Sequence, residues 1–475
     1  MSDTNLVEDI VIPDANLRGD LTQGPILQTL VVFALPALIS NILQTMGGSV
    51  NAIWVAQLLG KTAVAATANA NMIMFLMFGT VFGFGMATTI KIGQHFGARD
   101  LDGARRYFGA GIGFCTGLAA FIALLGWWFA DPVLRIMATP TEAHEQALVY
   151  LRITFLAMPF LSLSMIVSTG LRGAGDATTP MASMILTVIV GIVLNPILIA
   201  GFGRISGMGI GGSALAGALA SLAGAVLMIA TIYWRDLPLR LRGKELLYLI
   251  PRREELSFMV LKGVPMGAQT LLSSAAGLVM VGLVNREGME ATAAYGASMQ
   301  LWNYIQMPAF AISTAVSAMV AQNVGARRHD RVDTITWAGI GTVTVVTGTL
   351  TALILLFDRP ILALFLGETS GSTMDLGEHI QLISTWSFLL IGPMMVLFST
   401  MRAYGAVMGP LLIMFIALYP GRIGFYHLLY PTLGADAVWW SYPAGSIIAV
   451  GLSVLFYRYG SWRKATPVLA RRNAA

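Results

Sequence analysis

Charge is what this 475-residue sequence has least of: 11% of its residues are Asp, Glu, Lys or Arg, against 56% hydrophobic. A soluble domain carries about 25% charged residues and needs them to cover its surface. With a mean hydropathy of +0.73, the chain reads neither as a soluble enzyme, nor as a nucleic-acid binder, nor as a disordered scaffold. It reads as a helical membrane protein. Cysteine is almost missing. The lone Cys115 leaves no intramolecular disulfide and no cysteine metal cluster. The first two dozen residues are polar and acidic, with Asp3, Glu8, Asp9, Asp14 and Asp20 against Arg18, and lack the basic-then-apolar order of a cleavable signal peptide. No H-E-x-x-H, G-x-S-x-G or P-loop occurs, so any transport is expected to be secondary. Gly207, Gly209 and Gly212 match G-x-G-x-x-G, but between two apolar runs with no strand expected before them, which fails the dinucleotide reading.

What is abundant is apolar length. Runs able to cross a bilayer, about 20 residues each, fall at 26–58, 62–92, 105–130, 147–171, 180–202, 208–234, 256–285, 291–322, 333–357, 378–403, 407–430 and 436–459. Unpaired backbone groups are not tolerated in lipid, so these twelve runs are expected to be helices; barrel strands would be short and alternating. If both termini face the cytoplasm, 22 Lys/Arg fall in inner loops and tails and six in outer loops. That bias supports the orientation. It also gives the net charge of +5 a topological meaning, with no nucleic-acid partner implied. Tryptophans 127, 128, 234, 439, 440 and 462 stand near run ends, as interfacial rings do.

The chain also repeats itself. Gln94-His95-Phe96-Gly97-Ala98-Arg99-Asp100-Leu101-Asp102 returns as Gln322-Asn323-Val324-Gly325-Ala326-Arg327-Arg328-His329-Asp330, five of nine positions agreeing. Pro132 aligns with Pro360 at the same offset, and Arg172, Gly175 and Pro180 meet Arg402, Gly405 and Pro410 after a two-residue slip. The expected architecture is an all-α integral membrane fold of 12 transmembrane helices in two six-helix lobes. An axis along the membrane normal relates them, with the substrate path between. The division is a tail 1–25, a lobe 26–235, a cytoplasmic linker 236–255, a lobe 256–459 and a tail 460–475. The linker alternates bases with Leu and Tyr, and suits either an interfacial amphipathic helix or a solvated connection.

In this order on a duplicated frame, several motifs resemble the multidrug and toxic compound extrusion family. They are Leu35-Pro36-Ala37-Leu38, the Gly-Ala-Arg turns at Arg99 and Arg327, Leu171-Arg172-Gly173-Ala174-Gly175-Asp176-Ala177-Thr178-Thr179-Pro180, and Asn195-Pro196. The resemblance spans about residues 25–460. It implies an antiporter of the cytoplasmic membrane that exports small, often cationic organic compounds against sodium or protons, its two lobes exposing a central cavity to each side in turn. A flippase for a lipid-linked precursor, from the same broad superfamily, is the alternative. Arg172 and Arg402 are expected to anchor helix ends at the headgroups, with Asp176 paired to a cytoplasmic arginine.

One departure from the family pattern concerns acids: none of the 24 Asp and Glu residues falls in the middle of a run. Where the resemblance implies coupling carboxylates, this chain has Asn51, Asn195, Ser273 and, near the tenth-span position, Ile391. A carboxamide can coordinate sodium but cannot exchange a proton. The candidate cavity set is therefore neutral: Asn41, Gln44 and Asn51 on one face of the first run, Asn69 and Asn71 on the second, Asn195 on the fifth, Gln269 and Ser273 on the seventh, and Gln300, Asn303 and Gln306 on the eighth. Packing across helices is the bland reading of each. Of the five histidines, 95, 144, 329, 379 and 427, only His427 looks embedded in a run; with amides and hydroxyls otherwise filling the spans, sodium is favoured over protons as a coupling ion. No resident cofactor is expected, the partners are small organic compounds and lipids, and the chain is read as a monomer.

Overall fold

The computed structural model describes residues 19–136, 141–202, 205–367 and 371–465. The tails 1–18 and 466–475, with Arg18, lie outside it, as does the side chain of Asn69. The first lobe contains α1 Ile26–Leu59, α2 Lys61–Gly97, α3 Leu101–Ile136, α4 Thr141–Gly173, α5 Thr178–Ala200 and α6 Ile210–Trp234. The second opens with α7 Arg253–Arg286, α8 Met289–Gly325 and α9 His329–Leu356. A short α10, Asp358–Leu366, follows in the outer connection. The tenth span is α11 Ser372–Ser384 and α12 Phe388–Ala403 joined by a 3₁₀ turn, and α15 Asp436–Tyr459 is the last. The eleventh span is α13 Met408–Ile416, a π-helical segment Ala417–Gly424 and α14 Phe425–Leu433. Eleven of these spans are long and apolar enough to cross a membrane by themselves among the described residues, and α2 makes the twelfth. Prolines interrupt most of them, Pro36 in α1 and Pro265 in α7 at corresponding places. Such breaks are tolerated where neighbouring helices satisfy the freed carbonyls.

Two features depart from the expected runs. Gly201–Phe202 and Ile205–Ser206 pair as a two-residue antiparallel hairpin. A strand therefore does precede the Gly207 glycine motif, though it is far too short for a βαβ unit. The linker is not simply solvated: its 3₁₀ turn Gly243–Leu249 lies on α3. Arg105 pairs with Glu245 at 2.9 Å, and the Tyr248 hydroxyl donates to Asp102 at 2.7 Å. At the head of the linker Arg242 and Arg240 hold the Asp236 carboxyl below its ordinary range.

The duplication is visible in backbone detail at the end of the molecule that carries the described parts of both tails, called the basic end below. Arg99 and Arg327 have φ of 59° and 57°, and with Asp236 they are the described non-glycine residues of positive φ. Each closes a helix in the same way. The Arg99 and Arg327 amides donate to Phe96 and Val324 carbonyls at 3.0 and 3.1 Å, and the Asp100 and Arg328 amides donate to His95 and Asn323 carbonyls at 2.9 and 2.8 Å. These bonds satisfy the last carbonyls of α2 and α8.

Here the two copies pack on each other. A Cβ at Gly97 would overlap the Gln322 carbonyl, and one at Gly325 would overlap the Gln94 carbonyl. Glycine lets the backbones touch, as small residues do between membrane helices. The glutamines then cross. Gln94 Nε2 donates to the Ala403 carbonyl at 2.7 Å, and Gln322 Nε2 donates to the Gly173 carbonyl at 3.1 Å. Each lobe thus caps a helix of the other. The segment before α1 lies across this seam. Its Leu21 amide donates to Gln322 Oε1 at 2.8 Å, and Arg328 donates to the Thr22 carbonyl at 2.7 Å. Beneath it Leu30 and Phe33 of α1 join Ala309–Val324 of α8 in one apolar core.

Because the seam needs both glycines, Gly97→Ala and Gly325→Ala are each expected to destabilise the protein by about 1–3 kcal/mol, the usual range for overpacking. Gly117→Ala, facing open space, is the control. Thermal unfolding in detergent measures all three, and equal midpoints for Gly97→Ala and Gly117→Ala would refute the close contact.

Candidate transport site

The seam closes one end only. From Val81 to Phe96, α2 is buried almost throughout, as is α8 from Ala311 to Gly325. The other halves of the same helices, 61–80 and 289–310, keep an exposed face. Since α2 packs on α3 and α4 behind it, and α8 on α9, α11 and α12, those faces look into the space between the lobes. They form a cleft open away from the basic end. Its walls carry exposed Asn71, Met72 and Phe75 on α2, and exposed Asn303, Tyr304 and Phe310 with half-buried Gln300 and Gln306 on α8. Amides among Met and aromatic side chains give an adaptable apolar surface with a few hydrogen-bonding points.

Behind the cleft the first lobe holds a neutral polar cluster. Asn51 Oδ1 accepts from the Ser213 hydroxyl of α6 at 2.9 Å. The Tyr150 hydroxyl of α4 donates to Asn71 Oδ1 at 3.4 Å and lies within reach of Asn51 as well. Asn195 is buried on α5, and its Oδ1 has no hydrogen-bond partner among the described residues. It stands one turn from Leu198, whose carbonyl packs against Gly212, the neighbour of Ser213. The site therefore offers oxygens from Asn51, Asn71, Tyr150, Ser213 and Asn195 without a carboxylate.

Other expected residues sit elsewhere. Of the face proposed on α1, Asn41 is half-buried, Gln44 is exposed, and Asn51 is the one hydrogen-bonded into the lobe. Gln269 is a tie within the second lobe: its amide donates to the Pro410 carbonyl at 3.0 Å, and its oxygen accepts from Arg402. That corrects the headgroup role of Arg402, which turns inward against Gln269 and Phe398, 5.7 Å from the ring. Arg172 is half-buried and its Nε is buried without a partner among the described residues, so it does not simply splay toward headgroups either. Asp176 does not pair with an arginine among the described residues. It accepts from the Thr178 and Thr179 amides at 3.0 Å each and caps α5, because a carboxylate is favoured at a helix N-terminus. Ser273 is half-buried on α7. His427 is exposed on α14, with Nδ1 2.8 Å from the Ile423 carbonyl, and stands apart from the polar cluster.

Sequence reasoning missed Tyr150, Ser213 and the crossed glutamines. Gln94 and Gln322 carried a usable signal, being identical in both copies of the repeat; Tyr150 carried none. It also left unassigned an aromatic group in the second lobe, where Tyr442 lies 4.9 Å from Trp302 and Tyr295 bonds to the Tyr442 hydroxyl.

Two pseudo-symmetric six-helix lobes, sealed together at one end and parted at the other around a mixed polar and aromatic cleft, define a membrane transporter. A MatE family model matches residues 36–197 and again 265–426, once in each lobe. The chain belongs to this family. It is 33% identical over 439 residues to the probable multidrug resistance protein YoeA of Bacillus subtilis, covering 92% of this chain and 94% of that one. An FAD transporter of Shewanella oneidensis is 23% identical, with 83% and 86% of the two chains covered. The solved outward-facing structure of a multidrug resistance MATE transporter superposes with a TM-score of 0.85 at 22% identity, covering 94% of this chain and 98% of that one. At that identity it bears out the 12-helix, two-lobe fold.

The unpartnered Asn195 oxygen costs stability, since a buried unsatisfied acceptor is worth about 1–3 kcal/mol. Asn195→Leu is expected to leave the unfolding midpoint unchanged or raise it, while impairing transport. A marked drop in the midpoint would show that Asn195 is a structural tie like Gln269.

Proposed function

We propose that this chain exports small organic compounds by alternating access, as a monomer in the cytoplasmic membrane, with its basic end inside. The observation that carries this reading is the one-sided closure: crossed Gln94 and Gln322 bonds seal the basic end while the opposite halves of α2 and α8 face an open cleft. With the basic end cytoplasmic, as the Lys/Arg bias supports, this is the state that releases substrate outward. Return to the inward state requires both glutamine bonds and the Leu21 segment to release together.

Coupling is assigned to sodium, at modest affinity. The buried Asn195 Oδ1 without a donor, together with Asn51, Ser213 and Tyr150 oxygens in the same lobe, is a donor set suited to a hard cation. Lacking a carboxylate, it forgoes the main Coulomb contribution. No group in this cluster titrates near neutral pH.

Reconstituted in liposomes with sodium and pH gradients imposed separately, the protein is expected to drive uphill substrate movement with sodium alone. Asn195→Leu is expected to lower the sodium-driven rate roughly tenfold or more, equivalent to about 1.4 kcal/mol. Asp at positions 51 and 195 is expected to make transport pH-dependent. Transport driven by a pH gradient alone in the unaltered protein would refute sodium coupling. Orientation has its own check. Cysteine at Glu290 is expected to react with an impermeant reagent from outside and cysteine at Lys244 is not; the reverse pattern inverts the reading.

A further inference from the structure

Arg422 is the charged residue nearest the middle of any described span. It lies in the π-helical segment of the eleventh span, 408–433, well away from both ends. Charge at such depth is costly, is retained for use, and is ordinarily paired. Here the pairing is missing. Arg422 makes no ion pair and donates no hydrogen bond to any described residue, and its buried Nε has no partner. Its support is aromatic. The guanidinium lies 3.9 Å from the centre of the Tyr442 ring, with its stem against Gly445. Tyr442 is buried and bonds to the Tyr295 hydroxyl of α8. Arg422 shares its side of the span with buried Tyr426, four residues on, and lies against Tyr442 and Gly445 of α15, so it faces into the lobe, and it remains partly exposed there. The π-helical turn, around Pro420, is a local widening of the kind that recurs at functional sites.

We propose that Arg422 is the recognition point for an anionic group, a carboxylate or phosphate, on the transported compound. A guanidinium presents five N–H donors in a planar fork matched to such oxygens. Stacking on Tyr442 fixes its plane and leaves the donor edge free. Trp302 and Tyr295, both buried, pack on the Tyr442 ring and hold it in place, and the exposed aromatic area for the rest of an aromatic anion is that of Tyr304 and Phe310 on α8. The middle of the spans carries no negative side chain to bind an organic cation, so the net field of the path favours anions. This assignment rests on the export reading and names its substrate class.

The test uses three pyrene probes with the same four-carbon arm: pyrenebutyrate, pyrenebutanol and a pyrenylbutyl-trimethylammonium salt. Binding to the purified full chain is read by energy transfer from tryptophan. Pyrenebutyrate is expected to bind at least tenfold more tightly than the cation. Arg422→Gln is expected to weaken pyrenebutyrate at least tenfold and pyrenebutanol less than twofold, and Arg422→Lys to weaken the anion by an intermediate factor. A cation bound as tightly as the anion, or an anion affinity unchanged in Arg422→Gln, overturns the proposal. If Arg422→Gln does not fold, the unaltered protein's preference and Arg422→Lys decide by the same criteria. Transport of pyrenebutanol into liposomes tests the export reading separately. Movement without anion preference removes only the Arg422 assignment, and selective anion binding without movement of any probe removes only export.

Discussion

A helix that ends inside or against a membrane leaves its last carbonyls unpaired, and something must donate to them. In this protein part of that need is met across the lobe boundary. Gln94 of α2 caps Ala403 at the end of the tenth span, and Gln322 of α8 caps Gly173 at the end of α4. Glycines 97 and 325 permit the approach that lets each glutamine reach. The same few residues finish the helices, join the lobes and set the conformation. The cleft is open at one end because it is closed at the other.

The near absence of charge in the spans shapes what the cleft can do. The first lobe offers carboxamide and hydroxyl oxygens at Asn51, Asn71, Tyr150, Ser213 and Asn195. The second offers the exposed aromatic faces of Tyr304 and Phe310 with the amides of Gln300, Asn303 and Gln306, and one guanidinium where Arg422 acts as proposed. The lobes are alike where they seal and unlike where they bind. Duplication supplied a symmetric seam, where Arg99 and Arg327 differ by 2° in φ, while the parts facing the cleft kept no such constraint. A two-sided site of this kind separates tasks: hard oxygens suited to a cation on one wall, π-surface and N–H donors on the other.

The fold was legible because hydropathy and the repeat carry it. The twelve runs agree with the helices within a few residues at most ends. The largest extensions, about six residues, are at the end of α3 and the starts of α4 and α11; α2 to Gly97 and α8 to Gly325 extend because the repeated motif is itself the final turn of each helix. Connections were less legible. Hydropathy treats 407–430 as one uniform run and cannot show the π-helical widening around Pro420, nor the short α10 beyond Phe357. Within the site, Asn51 and Asn195 could be chosen as polar residues in apolar runs. Gln269 met the same criterion and serves as a helix tie, while Asp176, expected beside an arginine, serves as a cap. Composition marks a residue as polar; only the neighbouring backbone decides whether it is already satisfied.

The seam must also be weak enough to open. An interhelical side-chain hydrogen bond in a membrane protein is worth about 0.6 kcal/mol on average and rarely above about 1.7. Two crossed glutamines and the bonds to Leu21 and Thr22 therefore contribute a few kcal/mol, the scale at which a ligand that prefers one state can shift the balance. A seam of buried ion pairs would be harder to release, because breaking one leaves an uncompensated charge. Neutral amides leave dipoles that water can satisfy once the inner vestibule opens. On this argument the choice of glutamine at positions 94 and 322 is tied to reversibility: it caps two helices firmly enough to hold one state and gently enough to leave it.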